Sequence, residues 1–235
     1  GYTLITKESY ATLSYQPAGN VNADTSFNSI YVTSPDGQKR DFADHLQGGE
    51  LKGLIDLRDD TSVKISEQLS EYVSAFADQL NAAHNASSAV PAPTTLEGKQ
   101  THLTQAEALT GFSGTTNLVV TNSSGVIQRR VEVNMTAGTW TAYNAAGASV
   151  GTGGYTPATF DADMTTAMGG YGTVSFTTGQ LTMTAATTAP GAAGNGVSIV
   201  EPSTGASAKN GRSLSHYFGM NDLITASAQT QYDTG

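Results

Sequence analysis

The sequence predicts an α+β protein. A rod-like part holds a long helix or helix pair together with short strands, and a small β-rich module carries one short helix. In residues 48–84, apolar side chains recur at steps of three and four, the spacing of one helix face. Around this stretch, short β-branched and aromatic runs alternate with Gly, Pro and Asn turns. At about 1.5 Å per residue the helix would be roughly 50 Å long, which is typical of a bundle or coiled coil.

The composition excludes several functions. The 235 residues include 11 basic and 20 acidic side chains, for a net charge of −9. An acidic chain without a basic stretch is a poor partner for nucleic acid or an anionic membrane. The chain has no cysteine, which excludes disulfides and thiolate zinc sites. No apolar run approaches the roughly 20 residues that span a bilayer, and no secretory signal is visible.

Before the long helix, the sequence predicts short strands. Aromatic and β-branched runs favour strands at residues 2–5, 10–15, 29–33 and 38–42. The Ser-Pro-Asp-Gly sequence of residues 34–37 joins the last two strands as a hairpin, because proline presets φ and glycine accepts a positive φ. The pattern leaves open whether these strands pack on the helix or on the β-rich module.

The helix itself is predicted for residues 49–84. Gly49 is its N-cap, and Glu50 places negative charge at the positive end of the helix dipole. Residues 59–62 interrupt the apolar stripe, either as a kink or as the cap of a second helix. Since the stripe resumes nearly in phase at Ile65, the pattern favours one long helix or two nearly collinear ones.

Composition then divides the chain into three parts. Residues 1–103 hold the first strands, the long helix and a Pro/Ala linker at residues 87–98. Residues 104–205 form the β-rich α+β module, whose size is typical of a domain. Residues 206–235 return toward the helical part.

Within the module, Thr104 and Glu107 fit a capping box at the start of a helix of one or two turns. Residues 117–121 and 126–134 are predicted to pair as a hairpin, in which Arg129 is the exception on an otherwise apolar face.

A second short helix and further strands follow in the module. Thr156 is predicted as the N-cap and Pro157 as the first residue of a helix that ends near Met168. Further short strands are predicted at residues 172–176, 180–186 and 196–200.

The search for catalytic or ligand-binding motifs finds none with the required spacing. The Gly-Thr-Gly-Gly sequence of residues 151–154 lacks the register and the βαβ context of a nucleotide-binding loop, so a flexible loop is expected there. The sequence therefore predicts neither an enzyme nor a bound cofactor or metal. No pair of histidines has metal-ligand spacing, among His45, His84, His102 and His216.

Two stretches resemble a known family. Residues 48–59, G-G-E-L-K-G-L-I-D-L-R-D, resemble the G-G-x-L-x-G-L-[LI]-x-x-R-D segment of flagellar hook-associated protein 1, the hook–filament junction protein. Residues 215–224, S-H-Y-F-G-M-N-D-L-I, resemble the family's S-x-F-F-G-L-N-D-L segment, with Tyr217 and Met220 as departures. The resemblance covers most of residues 40–225. Further positions look like the family's continuation of the helix: Leu69, Ala75, Leu80, Asn81 and His84.

The resemblance implies a structural protein of the bacterial flagellum that joins hook to filament without catalysis. Such proteins lie outside the cell and are exported without a cleaved signal peptide. The implied partners are neighbouring copies of the same protein and the hook-side and filament-side flagellar proteins. The family's terminal helical segments are absent, so the chain is expected to be a middle-to-C-terminal fragment and a monomer by itself.

The same resemblance, together with residue chemistry, predicts the residues that contact neighbouring subunits. Glycines permit close backbone approach, leucines supply an apolar face, and a charged pair can fix register. The predicted interface residues are Gly49, Leu51, Gly53, Leu54, Arg58, Asp59, Leu69, Phe76, Phe218, Gly219, Asn221, Asp222 and Leu223.

A second interpretation stays open. Thr/Gly/Asn-rich strands also occur in bacterial surface adhesins, and residues 112–205 would then be a glycan-binding module.

Overall fold

The computed structural model describes residues 5–19, 25 and 27–225. The chain divides into two units, residues 1–75 and 76–235, and the division falls inside a helix.

In the first unit, three short strands form an antiparallel sheet in the order β1-β2-β3. The predicted hairpin is confirmed: in its turn, the Ser34 amide donates to the Gln38 carbonyl at 2.9 Å, and Gly37 has a φ of 82°. The strand predicted at residues 2–5 lies, except for Ile5, outside the described residues. The strands are β1 (Thr12–Ser14), β2 (Tyr31–Thr33) and β3 (Lys39–Asp41), and a 3₁₀ turn follows at Ala43–His45.

One long helical stretch comes next, and its prediction is confirmed. It consists of α1 (Glu50–Asp56), a π-helical segment (Leu57–Thr61) and α2 (Ser62–Asn85), with Gly49 as the N-cap. The polar interruption is therefore a π-helical segment within one continuous helical stretch and not the cap of a second helix. A π-helical turn holds one additional residue, which rotates everything after it by about 100° relative to an uninterrupted α-helix. The apolar positions of α1 and α2 consequently do not resume in phase, and the phase prediction was wrong.

In the second unit, two antiparallel sheets pack with short helices. One sheet has the order β4-β10-β9, and the other has the order β11-β5-β6-β7-β8. The strands are β4 (Thr95–Glu97), β5 (Thr115–Thr121), β6 (Ile127–Asn134), β7 (Thr139–Asn144), β8 (Ser149–Gly154), β9 (Gly172–Thr177), β10 (Gln180–Ala185) and β11 (Gly196–Val200). The helices after α2 are α3 (Gln105–Leu109), α4 (Phe160–Met168) and α5 (Leu214–Phe218). The predicted α+β class is confirmed, while the predicted domain boundaries at residues 103 and 205 stay a prediction.

A single apolar cluster joins these sheets and helices. Alternate residues of β5 and β6 point inward and meet the buried face of α4, as the two-residue period of a strand requires. The largest fully buried side chains of this core are Phe160, Phe218, Leu118, Met164, Met168, Leu181, Met183, Leu214, Val120, Val131, Val133 and Val197.

Local sequence signals predicted part of this unit correctly. The capping box is present, because the Glu107 carboxylate accepts from the Thr104 amide at 2.9 Å and the Thr104 hydroxyl accepts from the Glu107 amide at 3.4 Å. The predicted hairpin is β5–β6. Arg129, the exception on its apolar face, donates from Nε and NH2 to the Ala167 carbonyl at 3.0 and 2.6 Å. It thereby satisfies a carbonyl at the C-terminal end of α4.

Three predictions within this unit need correction. The segment predicted as a linker contains β4, which pairs with β10. The short helix begins at Phe160 rather than at Pro157, because the Thr156 amide and the Thr159 hydroxyl close a separate turn at 3.1 Å. The glycine-rich residues predicted as a loop form β8 instead.

The aromatic side chain of Trp140 explains how so many glycines remain in a strand. A Cβ on Gly153 would lie 2.5 Å from the Trp140 ring, and one on Gly151 would lie 3.6 Å from it. The indole therefore covers the glycine backbone of β8, which offers no side chains of its own for packing. No helix in the described part of the chain is both long and apolar enough to span a bilayer.

Candidate functional site

An exposed apolar face on α2 is the first candidate surface. Ile65, Leu69, Tyr72 and Val73 follow the i, i+4, i+7, i+8 spacing of a single helix face, and their side chains are 54–67% exposed. Phe76, at the start of the second unit, is 54% exposed. We call Ile65, Leu69, Tyr72 and Val73 the apolar helix face. Contiguous exposed apolar residues of this kind mark a site of association.

The helix before this face contains the predicted glycine and leucine contacts. Leu51 and Leu54 are exposed, while Ile55, the residue after Leu54, is buried. Among the described residues, no atom lies within 4 Å of a Cβ placed on Gly49 or Gly53, so both positions leave room for a close backbone approach. The interface role of these four positions stays a prediction.

Arg58 and Asp59 are paired within the chain. The guanidinium donates from Nε and NH2 to the two carboxylate oxygens of Asp59 at 2.5 and 2.6 Å, and it lies 5.0 Å from the Phe27 ring centroid. The hydrogen bond with Asp59 raises the pKa of Arg58, against the opposing effect of burial. The predicted register pair thus already has partners within its own unit, and its role between subunits stays a prediction.

The second candidate is a hydrogen-bonded cluster at the end of α2, which we call the polar junction. It consists of Asn81, His84 and Asn85 of α2 together with Ser215 and residues 221–224 of the closing segment, all in the second unit. Asn81 pairs with the closing backbone as a neighbouring strand would. Its Oδ1 accepts from the amides of Leu223 and Ile224 at 2.9 and 2.8 Å, and its Nδ2 donates to the Ile224 carbonyl at 2.8 Å.

Asn85 is the centre of the polar junction and is only 1% exposed. Its Oδ1 accepts from the Ser215 hydroxyl at 2.6 Å and from the Asn221 amide at 3.0 Å. Its Nδ2 donates to Asp222 Oδ1 at 2.7 Å and to the Asn81 carbonyl at 2.9 Å. These four bonds use the full hydrogen-bonding capacity of an asparagine side chain.

His84 and Asn221 each form a side-chain hydrogen bond to the backbone carbonyl of the other. His84 Nδ1 lies 2.6 Å from the Asn221 carbonyl, and because a carbonyl can only accept, Nδ1 carries the proton. The Asn221 side chain donates to the carbonyls of His84 and Ser87 at 3.0 and 3.3 Å. These contacts join Asn221 to the last turn of α2 and to the residue two positions beyond its end.

One turn earlier on α2, Asp78 binds the same closing segment through charge. Its Oδ1 lies 2.7 Å from Arg212 NH2 and 3.3 Å from His216 Nε2. Burial by itself raises the pKa of Asp78, but the hydrogen bond and charge of Arg212, with a smaller contribution from His216, outweigh it and lower the pKa below its ordinary 3.8.

This lowered pKa predicts an acid-dependent contribution to stability. The ion pair stabilises the fold fully above the unfolded-state pKa, and the stabilisation is lost as the pH falls through the lower folded-state value. Because both side chains are about 40% exposed, Asp78→Asn is expected to lower the free energy of unfolding by no more than about 1 kcal/mol at pH 7. In acid below the lowered pKa, where Asp78 is protonated in both the folded and the unfolded state, the two proteins are expected to unfold at the same urea concentration. An equal loss of unfolding free energy at pH 7 and in acid would show that the ion pair does not contribute to stability.

Phe218, Gly219 and Asp222 form the turn that leads into the polar junction. Phe218 is 0% exposed and packs against the rings of Phe112, Phe176 and Tyr217, so its contacts are those of a core side chain. Gly219 ends α5 in the left-handed conformation, with a φ of 64°. A Cβ on Gly219 would lie 2.6 Å from Asp222 Oδ2, and Asp222 is held in place by Asn85. Leu223 itself is exposed.

Gly219→Ala is therefore expected to lower the free energy of unfolding by more than the penalty of the left-handed conformation alone. Gly205 provides a matched control, because its φ is 67° and a Cβ there would meet no atom within 4 Å. Both substitutions carry the conformational penalty of roughly 1–2 kcal/mol, but only Gly219→Ala displaces Asp222 from Asn85. We expect urea denaturation to show an additional loss of at least about 1.5 kcal/mol for Gly219→Ala. Equal losses for the two variants would exclude the close contact.

Several junction residues were not predicted from the sequence as site residues. Asn81 and His84 were noted only for their resemblance, while Asp78, Asn85 and Arg212 were missed. Two asparagines four residues apart near a helix end are a usable signal, because asparagine is a poor helix former whose side chain readily bonds to backbone groups. In the described residues, no group of three His, Asp or Glu side chains could hold a metal ion.

Comparison with known proteins gives one match. Residues 1–91 match the family model described as the flagellar hook-associated protein FlgK helical domain. The matched range contains the first sheet, the whole long helix, the apolar helix face and the α2 side of the polar junction. No curated protein and no solved structure matches the chain.

Proposed function

We propose that the chain, whose residues 1–91 match the model of the flagellar hook-associated protein FlgK helical domain, joins the hook to the filament outside the cell. A hook-associated protein is a structural part of the flagellum, and motility depends on its assembly. In the proposed role the chain performs no catalysis, and it contacts neighbouring copies of itself and the hook-side and filament-side proteins.

The observation that carries this proposal is the apolar helix face. A helix gains most of its stability by packing an apolar face against other elements. Here four large side chains on one face are more than half exposed. Their three- and four-residue spacing fits the grooves of another helix. Helices of neighbouring subunits are thus the proposed cover for this face.

The polar junction supports the non-catalytic part of the proposal. The side chains of Asn81, Asn85 and Asn221 form hydrogen bonds with the backbone and with neighbouring side chains. Such an arrangement holds the end of α2 against the closing segment, which suits a structural part that must resist mechanical force.

The test places a charge at Leu69 of the apolar helix face, or at Phe76 further along α2, in the full protein in its flagellated host. Leu69→Asp and Phe76→Asp are expected to abolish swimming in soft agar and to leave cells with hooks but without attached filaments. Since both positions are exposed, the purified variants are expected to keep their melting temperature.

Ser70→Asp is the matched control, because it adds the same charge at an exposed position about 100° around α2 from Leu69, off the apolar helix face. Cells carrying it are expected to swim normally. Normal swimming of the Leu69→Asp strain would reject the proposed packing surface. The alternative, a glycan-binding adhesin, stays a prediction that saturable binding of the chain on a glycan array would support.

A further inference from the structure

A groove lies on the face of the five-stranded sheet opposite the core. On β5, Leu118 and Val120 point into the core, so Val119 and Thr121 point to the other face. There they line a groove of about 350 Å³, together with Val90, Ile127, Arg130 and Val200. This volume is at the lower end of the range for small-molecule sites.

The wall of the groove carries one cation, Arg130. Its guanidinium lies 4.1 Å from the Tyr143 ring centroid, which orients it beside the groove. NH1 is 3.4 Å from both Asn117 Oδ1 and Glu132 Oε2, and both contacts are long for hydrogen bonds. Among the described residues, NH2 and Nε of Arg130 have no hydrogen-bond partner. The guanidinium thus has free donors and a fixed orientation.

Thr121 lies in the wall of the same groove. The residue is 9% exposed, and its buried hydroxyl has no hydrogen-bond partner in the described part of the chain. A buried polar group without a partner is uncommon and costs stability. Because the hydroxyl oxygen is itself buried, a molecule in the groove does not contact it, and the cost falls on the fold.

We propose that this groove binds a small monocarboxylate with a short apolar body, anchored by Arg130. The planar guanidinium suits a carboxylate, which it can bind with two parallel hydrogen bonds. The valine and isoleucine side chains provide the apolar wall for the body of the ligand. Glu132 lies against the same guanidinium and disfavours a dianion such as phosphate. Two sources share this chemistry: a short fatty acid, and the C-terminal residue of a peptide when that residue is apolar.

The first experiment titrates the ¹⁵N-labelled chain with hexanoate and with N-acetylleucine, and with hexanamide and N-acetylleucine amide as neutral counterparts. We expect both carboxylates to cause saturable amide shifts at Val119, Thr121 and Arg130. The neutral amides are expected to bind at least about tenfold more weakly, which corresponds to one lost charge-assisted contact. The tighter of the two carboxylates identifies the source. Absence of saturable shifts up to about 10 mM for both carboxylates would overturn the proposal.

Variants then test the assigned residues. Arg130→Gln is expected to remove the difference between carboxylate and amide, whereas Arg40→Gln in the first unit is the matched control and is expected to leave binding unchanged. Ile127→Glu places a negative charge at a half-exposed position of the groove and is expected to abolish carboxylate binding while the spectrum stays dispersed. Thr121→Val is expected to raise the melting temperature of the free chain by about 2–4 °C. Carboxylate binding that is equally tight in Arg130→Gln would reject the proposed anchor.

Discussion

Phe218→Ala is expected to lower the free energy of unfolding of the second unit by about 3–5 kcal/mol. The ring is fully buried and lies 5.0 Å from the Tyr217 ring centroid and 6.2 Å from those of Phe112 and Phe176. Its removal leaves a cavity and also breaks three aromatic contacts. Urea denaturation followed by the fluorescence of Trp140, the one tryptophan in the chain, measures this loss in the second unit.

Phe76→Ala is the matched control for this prediction. It removes the same ring from an exposed position in the same unit, and we expect a loss below about 1 kcal/mol. If both substitutions lowered the free energy of unfolding by less than about 1 kcal/mol, Phe218 would be a surface residue in solution. Its predicted role in a subunit interface would then need a direct test. In the structure the two predicted interface phenylalanines have opposite environments, so their substitutions separate folding from assembly.

The second large effect is expected for Asn85→Leu. Leucine is similar in size but leaves the Asn221 amide, the Ser215 hydroxyl and the Asp222 carboxylate without their shared partner. Each buried polar group that loses its partner costs about 1–3 kcal/mol, so the expected total loss is about 3–5 kcal/mol. Hydrogen exchange at the amides of Asn221 and Leu223 is expected to accelerate, because these amides are held by Asn85 and Asn81.

Gln79→Leu is the control on the same helix. Gln79 is exposed, so its replacement is expected to change stability by no more than about 0.5 kcal/mol and to leave exchange at the closing segment unaltered. Asn85→Leu with normal exchange at Asn221 would show that the polar junction does not hold the closing segment in solution.

The structure confirms several predictions that rested on neighbouring residues. The hairpin turn at residues 34–37, the capping box at Thr104 and the β5–β6 hairpin each follow from interactions within a few positions in the chain. The long helix is also local, because its apolar period and N-cap lie within one segment. Its π-helical segment was not foreseen, since an additional residue in a turn leaves only a polar interruption in the sequence.

Predictions that depended on distant residues were less successful. The exposed part of the candidate site was recognisable in advance, because Leu69 and Phe76 belong to a helical apolar period. Asn81, His84 and residues 215–224 were noted only through the resemblance, the contacts between them were not predicted, and Asn85 was missed. Its partners lie about 130 positions away in the chain, so no local pattern distinguishes it from a solvent-exposed asparagine.

The sequence alone determined the long helix, the short hairpins and the α+β class, because helix period, turn chemistry and capping act over a few residues. Only the tertiary structure decided that the glycines of β8 form a strand beneath Trp140, that residues 95–97 pair with β10, and that Phe218 is core while Phe76 is exposed. These outcomes depend on which surfaces meet in space, and burial and cross-strand pairing override local propensity.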